Sequence, residues 1–449
     1  MVKKFRSKAT LMILAAAIGF AAFGCSRTRP SELLPTVYPS PNAPRPGSPT
    51  RTPFLPPTAG PNDSFPAPTP DPSRILPTPR LEPDEYVTQS GDSLGGIARL
   101  FGVSLNSLIA ANEIPNPDIV PVGQLLTIPP PELAERGPAF KIIPDSELVY
   151  GPFSAYVDYE ALVRSRGGFL AGHEDKVDDQ TLSGLEIIRR VAGEYSVNPL
   201  LLITLLEHQS GWVTRDDISE EQQLYPMGLV NSSRKGLYNQ LAWAANELNR
   251  GYYLWRVNAM GALVMGDGAV VPLDPTINAG TAAVQYLLST LYSQPEWRQA
   301  VSSQGVFSTY SSLFGFPFNL AFEPLIPPDL QQPPLQLPFN PGDAWSYTGG
   351  PHGGYGSGSA WAALDFAPSY DDLGCNWALE WVTAVADGQI VRAENGSVVQ
   401  DLDGDGYEQT GWTILYLHIA TTDRVPAGAV VKAGDRIGHP SCEGGVSTG

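Results

Sequence analysis

The sequence predicts a multidomain protein. It would hold a small β-α-α-β module, an all-α middle domain and a C-terminal all-β antiparallel domain. Three observations predict this. At 449 residues the chain is too long for one ordinary domain. Of its 44 prolines, many crowd two tracts, 26–84 and 316–342, which cannot bury enough apolar surface to fold and so divide the chain. The hydrophobic period also changes along the chain. Strand-like runs flank two short helical stretches between 86 and 129. Leu182, Leu185, Ile188, Val191 and Tyr195 then recur at helical spacing. Beyond 343, the apolar run 362–366 reads as a strand beside a glycine-rich loop.

Taken in order, residues 1–25 read as a secretory signal. Lys3, Lys4, Arg6 and Lys8 precede an apolar run over 11–23 that is short for a membrane span. The run ends Ala22-Phe23-Gly24-Cys25, which resembles a bacterial lipobox, although Phe two residues before the Cys departs from the pattern. The resemblance implies lipidation of Cys25 and an exported protein, anchored to the membrane at the envelope or extracellular face. Cys25, Cys375 and Cys442 are the three cysteines. With Cys25 lipidated, Cys375 and Cys442 remain to form a disulfide outside the cytoplasm. The net charge of −18, with no basic stripe, argues against nucleic acid as a partner. Residues 26–84 read as a disordered spacer, extended at about 3.1 Å per residue where polyproline geometry holds.

Residues 85–130 read as the compact β-α-α-β module. Tyr86-Val87-Thr88 is a strand, and Ser90-Gly91-Asp92-Ser93 turns into a helix over 94–101. Ser104 caps a second helix over 105–111, and 124–128 is the return strand. The landmarks Y-x-x-x-x-G-D-S-L, I-A-x-x-F-G-V, L-x-x-x-N and G-Q-x-L-x-I-P make this segment resemble the LysM module. That implies binding of N-acetylglucosamine polymers such as peptidoglycan. The groove would be lined by Gly91, Asp92, Ser93 and Leu94 and by the 114–119 loop, with Ile114 and Ile119 at its ends. Taken singly, Asp92 reads as a turn former and Leu94 as a core residue.

Residues 131–175 read as an irregular connector and 176–315 as the all-α domain. Asn198-Pro199 caps and starts a helix whose residues 200–206 are apolar all round, so the helix should be central and buried. It ends Glu207-His208-Gln209-Ser210-Gly211-Trp212. This resembles the lysozyme-type transglycosylase motif, in which a buried helix ends in a catalytic Glu-Ser-Gly-Phe. Aligned on Ser210-Gly211, the catalytic position holds Gln209, which cannot serve as a general acid. Glu207 lies two residues earlier and points about 200° away on a regular helix. The favoured reading is a helical spacer or inactive glycan-binding domain. The alternative is a lysozyme-like glycosidase that uses Glu207.

Residues 343–449 carry the densest chemistry. His352 and Asp365 flank a glycine-rich loop, and imidazole and carboxylate both suit zinc. Asp365 lies in the apolar run Ala362, Ala363, Leu364 and Phe366, which reads as a buried strand where a carboxylate needs neutralising. A loop His and a strand-end Asp remain the bland alternative on these residues alone. With Leu415-Tyr416-Leu417-His418-Ile419, Val382-x-Ala384-x-x-Asp387-Gly388-x-Ile390-Val391 and Val430-Val431-Lys432-Ala433-Gly434-Asp435-Arg436-Ile437-Gly438, the segment resembles the β-lytic and lysostaphin-type (LytM, peptidase M23) zinc endopeptidases. The resemblance implies that His352 and Asp365 are the first two ligands of one zinc ion. It also implies that His418 lines the active site and that 382–391 forms a hairpin. In that family a His-x-His pair follows a Ser/Ala-Thr-Gly step and supplies the third ligand and a catalytic histidine. Ser447-Thr448-Gly449 stands at that step, so the expectation is a third ligand beyond Gly449 and an inactive domain as the chain stands. Asn376 and Trp377 would shape the cleft. Asp401-Leu402-Asp403-Gly404-Asp405-Gly406 has calcium-loop spacing but has Trp412 where an EF-hand needs Glu, and it reads as a polar hairpin tip.

The leading expectation is therefore peptidoglycan binding and peptide cross-link hydrolysis by a zinc metalloendopeptidase. A non-catalytic envelope adaptor or activator lipoprotein is the second reading. A glycan-cleaving enzyme acting through the helical domain is the third.

Overall fold

The structure is a computed structural model. It describes residues 67–445 apart from 153, 327–328 and 370–377. All of these belong to one unit, Arg51–Gly449. The signal segment, Cys25, Cys375, Asn376 and Trp377 lie outside the described residues.

The first module pairs β1 (Asp84–Val87) with β2 (Leu125–Ile128) antiparallel, Asp84 facing Ile128. Between them run α1 (Leu94–Phe101) and α2 (Leu105–Ala111). Ser93 and Ser104 accept the free N–H groups of Gly96 and Ser107 and so fix both helix starts. Leu94, Ile97, Val103, Leu108, Leu126 and Ile128 form its core.

The middle region contains α3 (Tyr159–Arg166), β3 (Glu174–Val177), β4 (Gln180–Ser183), α4 (Gly184–Tyr195), α5 (Pro199–Ser210) and α6 (Glu220–Leu224). It continues with α7 (Leu237–Arg256), β5 (Ala262–Val264), β6 (Val270–Pro272), α8 (Ala279–Ser289), α9 (Gln294–Ala300) and α10 (Val306–Phe314). Asn198 caps α5 and Pro199 opens it, and every residue from Pro199 to Leu206 is buried. The all-α expectation needs correction, because β3–β4 and β5–β6 are two antiparallel hairpins. The connector expectation for 131–175 also needs correction. Ile142, Ile143, Leu148, Val157, Leu162, Val163 and Leu170 lie in the same core as α5. Their burial comes from contacts distant in sequence, so no local period announces it.

The spacer expectation changes over its described part. Asp71 N–H donates to the Thr276 carbonyl at 2.9 Å and its carboxylate meets Lys141 Nζ at 2.6 Å. The Arg74 guanidinium stacks on Trp255 at 4.8 Å. Arg80 donates to the carbonyls of Phe101, Ile128 and Pro129 in the first module. A proline-rich strand has little backbone entropy left to lose, so a few such contacts suffice to seat it.

The C-terminal region has β7 (Trp345–His352), β8 (Ala363–Pro368), β9 (Val382–Thr383), β10 (Gly388–Glu394), β11 (Ser397–Asp401), β12 (Thr413–Leu417), β13 (Val430–Val431) and β14 (Arg436–Gly438). One sheet runs β12-β11-β10-β13, and β14–β9 and β7–β8 are pairs. All pairings are antiparallel. The expected 382–391 hairpin is not formed, because β9 pairs with β14 while β10 pairs with β11 and β13. Val382, Ala384, Ile390, Val398, Tyr416, Ile419 and Ile437 make the core, and Trp345 of β7 packs against it.

Candidate metal-binding and catalytic site

The β7–β8 register places Gly349 opposite Asp365 and His352 opposite Ala363. The ladder shifts register on either side of Gly349, and this brings the His352 ring back over Asp365. His352 Nε2 lies 2.8 Å from Asp365 Oδ2, and Nδ1 lies 2.8 Å from the Gly353 carbonyl. Both ring nitrogens therefore face acceptors. The Gly353 carbonyl, and then Asp365, raise the His352 pKa above the ordinary histidine value. The hydrogen bond between Nε2 and Oδ2 stands where a cation would sit, and imidazole and carboxylate are two of the three donors a catalytic zinc needs. Gly349 leaves room for it, since a Cβ there would come 2.7 Å from Asp365 Oδ2.

The buried-strand expectation for Asp365 is corrected. Its side chain is 51% exposed and that of His352 is 43% exposed. The β7–β8 ladder is a two-stranded ribbon whose β8 side chains are only partly covered, and Leu364 and Trp361 are exposed with it. The site is open to a large substrate.

His418 follows β12 directly, with φ of +63°. Its Nδ1 lies 2.9 Å from the Glu443 carbonyl. The loop after His352 reaches the same strand, because a Cβ on Gly354 would lie 3.8 Å from Leu415 Cδ2. The loop is also held by the helical region: Gly358 N–H donates to Asn246 Oδ1 at 2.8 Å, and Arg250 meets Ser357 Oγ at 2.5 Å. Cys442 is disulfide-bonded.

Among the described residues, the one group of three or more His, Cys, Asp or Glu with ligand atoms within 4.8 Å of one another is Asp401, Asp403 and Asp405. These occupy the β11–β12 connection, as a polar hairpin tip would. Buried Asp401 accepts from the N–H groups of Asp403, Gly404 and Gly406 at 3.0, 3.1 and 2.9 Å. Burial and Asp401 raise the Asp403 carboxyl.

In the first module, Asp92 accepts from Tyr86 Oη at 2.9 Å and from Gln89 N–H at 2.7 Å, and so holds the turn that Gly91 opens. Ser93 is the helix cap. The Leu94 side chain is a core residue, which leaves its backbone as the part that can face a ligand. Ile114 packs on that core, while Ile119 is exposed. Glu207 accepts from Val213 N–H at 2.8 Å, Thr214 N–H at 3.2 Å and Thr214 Oγ1 at 2.5 Å. It therefore staples the chain leaving α5. Gln209 accepts from Tyr292 Oη at 2.8 Å. Glu147, buried beneath α5 and α10, and Glu443 carry no sequence signal, because their partners lie far along the chain.

Comparison with known proteins places family matches on the first two regions. Residues 86–129 match the LysM domain family, and residues 141–327 match the family described as LasA, N-terminal domain. The chain is similar to protease LasA of Pseudomonas aeruginosa strain UCBPP-PA14, 28% identical over 333 residues, covering 68% of this chain and 71% of that protein. It is also similar to the secreted LysM effector ECP6 of Passalora fulva, 50% identical over 48 residues, 10% of this chain and 21% of the effector. N-acetylmuramoyl-L-alanine amidase XlyA of Bacillus subtilis is 42% identical over 60 residues, 13% of this chain and 20% of the amidase. No solved structure matches. The chain is thus LysM-containing and LasA-like.

Proposed function

We propose that this chain carries the parts of an exported peptidoglycan hydrolase, in which the LysM module holds the glycan and the C-terminal region would cut peptide cross-links with one zinc ion once a third ligand joins His352 and Asp365. The observation that carries the reading is the 2.8 Å pairing of His352 Nε2 with Asp365 Oδ2 on an exposed ribbon. Two zinc-type donors from neighbouring strands converge where a large polymer has access. Similarity to a protease and to a cell-wall amidase points the same way.

His352 and Asp365 would be two of the three protein ligands of the zinc, which when bound supplies a Lewis acid for the scissile carbonyl. The Gly353 carbonyl fixes the His352 ring through Nδ1 and leaves Nε2 for the ligand role. His418, with Nδ1 on the Glu443 carbonyl, would present Nε2 as an acceptor that orients the attacking water. Exposed Trp361 and Leu364 offer apolar surface beside the pair. Binding through LysM raises the local concentration of peptide bonds at this site. A lipid on Cys25 would keep the chain at the envelope, and a Cys375–Cys442 disulfide would brace the site.

The test is zinc content and wall binding of the purified full chain. His352→Ala and Asp365→Ala should each lose zinc while still sedimenting with insoluble peptidoglycan. Unchanged zinc in both variants would overturn the metal reading. Wall binding by a chain that holds no zinc and releases no amino groups would favour the adaptor reading. The three backbone and hydroxyl donors on Glu207 argue against the glycosidase reading, since that carboxylate already serves the loop.

A further inference from the structure

The chain around His418 is built more firmly than a strand end requires. The left-handed φ of His418 is unfavourable for a residue with a β-carbon and persists only where neighbours impose it. They do so on both sides. Ile419 N–H donates to the Gly396 carbonyl, Ala420 N–H to the His439 carbonyl and Ser441 N–H to the His418 carbonyl, each at 2.8 Å. His418 Nδ1 then meets the Glu443 carbonyl at 2.9 Å. A carbonyl only accepts, so Nδ1 carries the hydrogen and Nε2 keeps its lone pair.

The position of that carbonyl is itself determined by the Glu443 side chain. Its carboxylate accepts from Thr421 N–H at 2.7 Å, Thr421 Oγ1 at 2.6 Å and Arg424 Nη2 at 3.4 Å. Thr421 lies three residues after His418. The carboxylate thus ties the turn holding the carbonyl to the loop holding the imidazole, and the two ends of the hydrogen bond are braced against each other. Two further features press on the same turn. Asn395 and Gly396 both take positive φ, 47° and 73°, in the tight β10–β11 turn, and a Cβ on Gly396 would come 2.2 Å from the Glu443 carbonyl carbon. Cys442, next in the chain, is disulfide-bonded.

We infer that Glu443 is a positioning residue: its carboxylate clamp on Thr421 and Arg424 sets the Nδ1–H tautomer of His418 and leaves Nε2 as the working nitrogen. The inference rests on the reading of His418 as an active-site histidine. It concerns a geometry that can be measured without turnover.

The experiment uses the full chain with ring-¹⁵N histidine. Five histidines give a tractable spectrum, and His418→Ala assigns the signal. Wild type should show His418 as the Nδ1–H tautomer. Glu443→Ala should lower the ratio of Nδ1–H to Nε2–H about fivefold, the worth of one ordinary hydrogen bond. Glu443→Gln keeps an acceptor for Thr421 and should restore most of it. An unchanged tautomer in Glu443→Ala, with the other histidine signals in place, overturns the inference whatever the activity. Should Glu443→Ala fail to fold, Thr421→Val carries the test, with a smaller shift in the same direction expected and no shift fatal. Wall hydrolysis read beside the spectra separates the two ideas. A shifted tautomer with unchanged hydrolysis upholds the positioning by Glu443 and overturns the catalytic reading of His418.

Discussion

Two carboxylates in this protein are held in opposite ways. Glu147 is 1% exposed, in the core of the helical region, and accepts from Asn198 Nδ2 at 2.8 Å and from the Tyr310 hydroxyl. Its partners are neutral, and burial raises its pKa from 4.5 to about 7 against their pull. Asp365 is half exposed, and its partner is an imidazole that can carry charge. Glu147 joins three segments, 145–147, the start of α5 and α10, and has no route to solvent. Asp365 joins nothing that the β7–β8 ladder does not already join. Burial with neutral partners marks a structural group, whereas exposure with a chargeable partner leaves a group free for chemistry.

The largest effect should come from breaking the buried member. Glu147→Ala strands the Tyr310 hydroxyl and the Asn198 amide in the core and should cost about 3 kcal/mol at mildly acid pH, read by denaturant unfolding of the helical region. The same group makes stability depend on pH. Its folded pKa of about 7 lies above the unfolded 4.5, so the folded state binds the proton more tightly. The contribution is complete below the unfolded value and is lost as pH rises through about 7. The full span is about 3 kcal/mol. Glu147→Gln should flatten this dependence at a smaller cost. A wild-type curve that rises from pH 5 to pH 8 would place the charge on some other group.

A smaller effect should come from the exposed member. Gly349 faces Asp365 across the ladder, and its missing side chain lets the carboxylate lie over the strand. Gly349→Ala would put a Cβ 2.7 Å from Oδ2, closer than such atoms pack, so the carboxylate must turn away. Zinc affinity should fall about 10- to 100-fold, as when a supporting group is removed from a metal ligand. Metal titration of the folded variant checks it, and unchanged affinity would mean that Asp365 does not ligate in the orientation described.

The LysM segment was legible because its signals are local: caps at Ser93 and Ser104, a turn at Gly91-Asp92, and two short strands. The central helix was legible for the same reason, through Asn198-Pro199 and an unbroken apolar run. What was not legible depends on partners far away in sequence. Asp71 seats on Lys141, and His418 on a backbone carbonyl that any residue could supply. Residues 142–170 have no period of their own because several other segments complete their core. The exposure of Asp365 was misjudged from composition. An apolar run implies a covered strand only if another layer lies on it, and Leu364 and Trp361 lie bare. On an exposed ribbon, apolar residues at the surface are as informative as polar residues in the core.

The smallest effect sharpens the comparison most. Asp365→Ala in metal-free protein should change stability by less than about 1 kcal/mol. The reason is dielectric. Both members of the His352–Asp365 pair are more than one-third exposed, so water screens the attraction and solvates either partner when the other is removed. The β7–β8 register is written in backbone hydrogen bonds and in Trp345 packing on the core, which the substitution leaves alone. The stability from the pair's raised histidine pKa is complete below the ordinary histidine value and is lost as pH rises through the folded value. Thermal unfolding of wild type and Asp365→Ala, each with and without a chelator, separates the contributions. The two should coincide with chelator present and diverge when zinc is supplied, because only wild type gains the binding energy of the ion. A loss beyond about 2 kcal/mol with chelator present would exceed what a screened pair can supply. The pair would then be a structural strut like Glu147, and the metal site would have to be sought elsewhere.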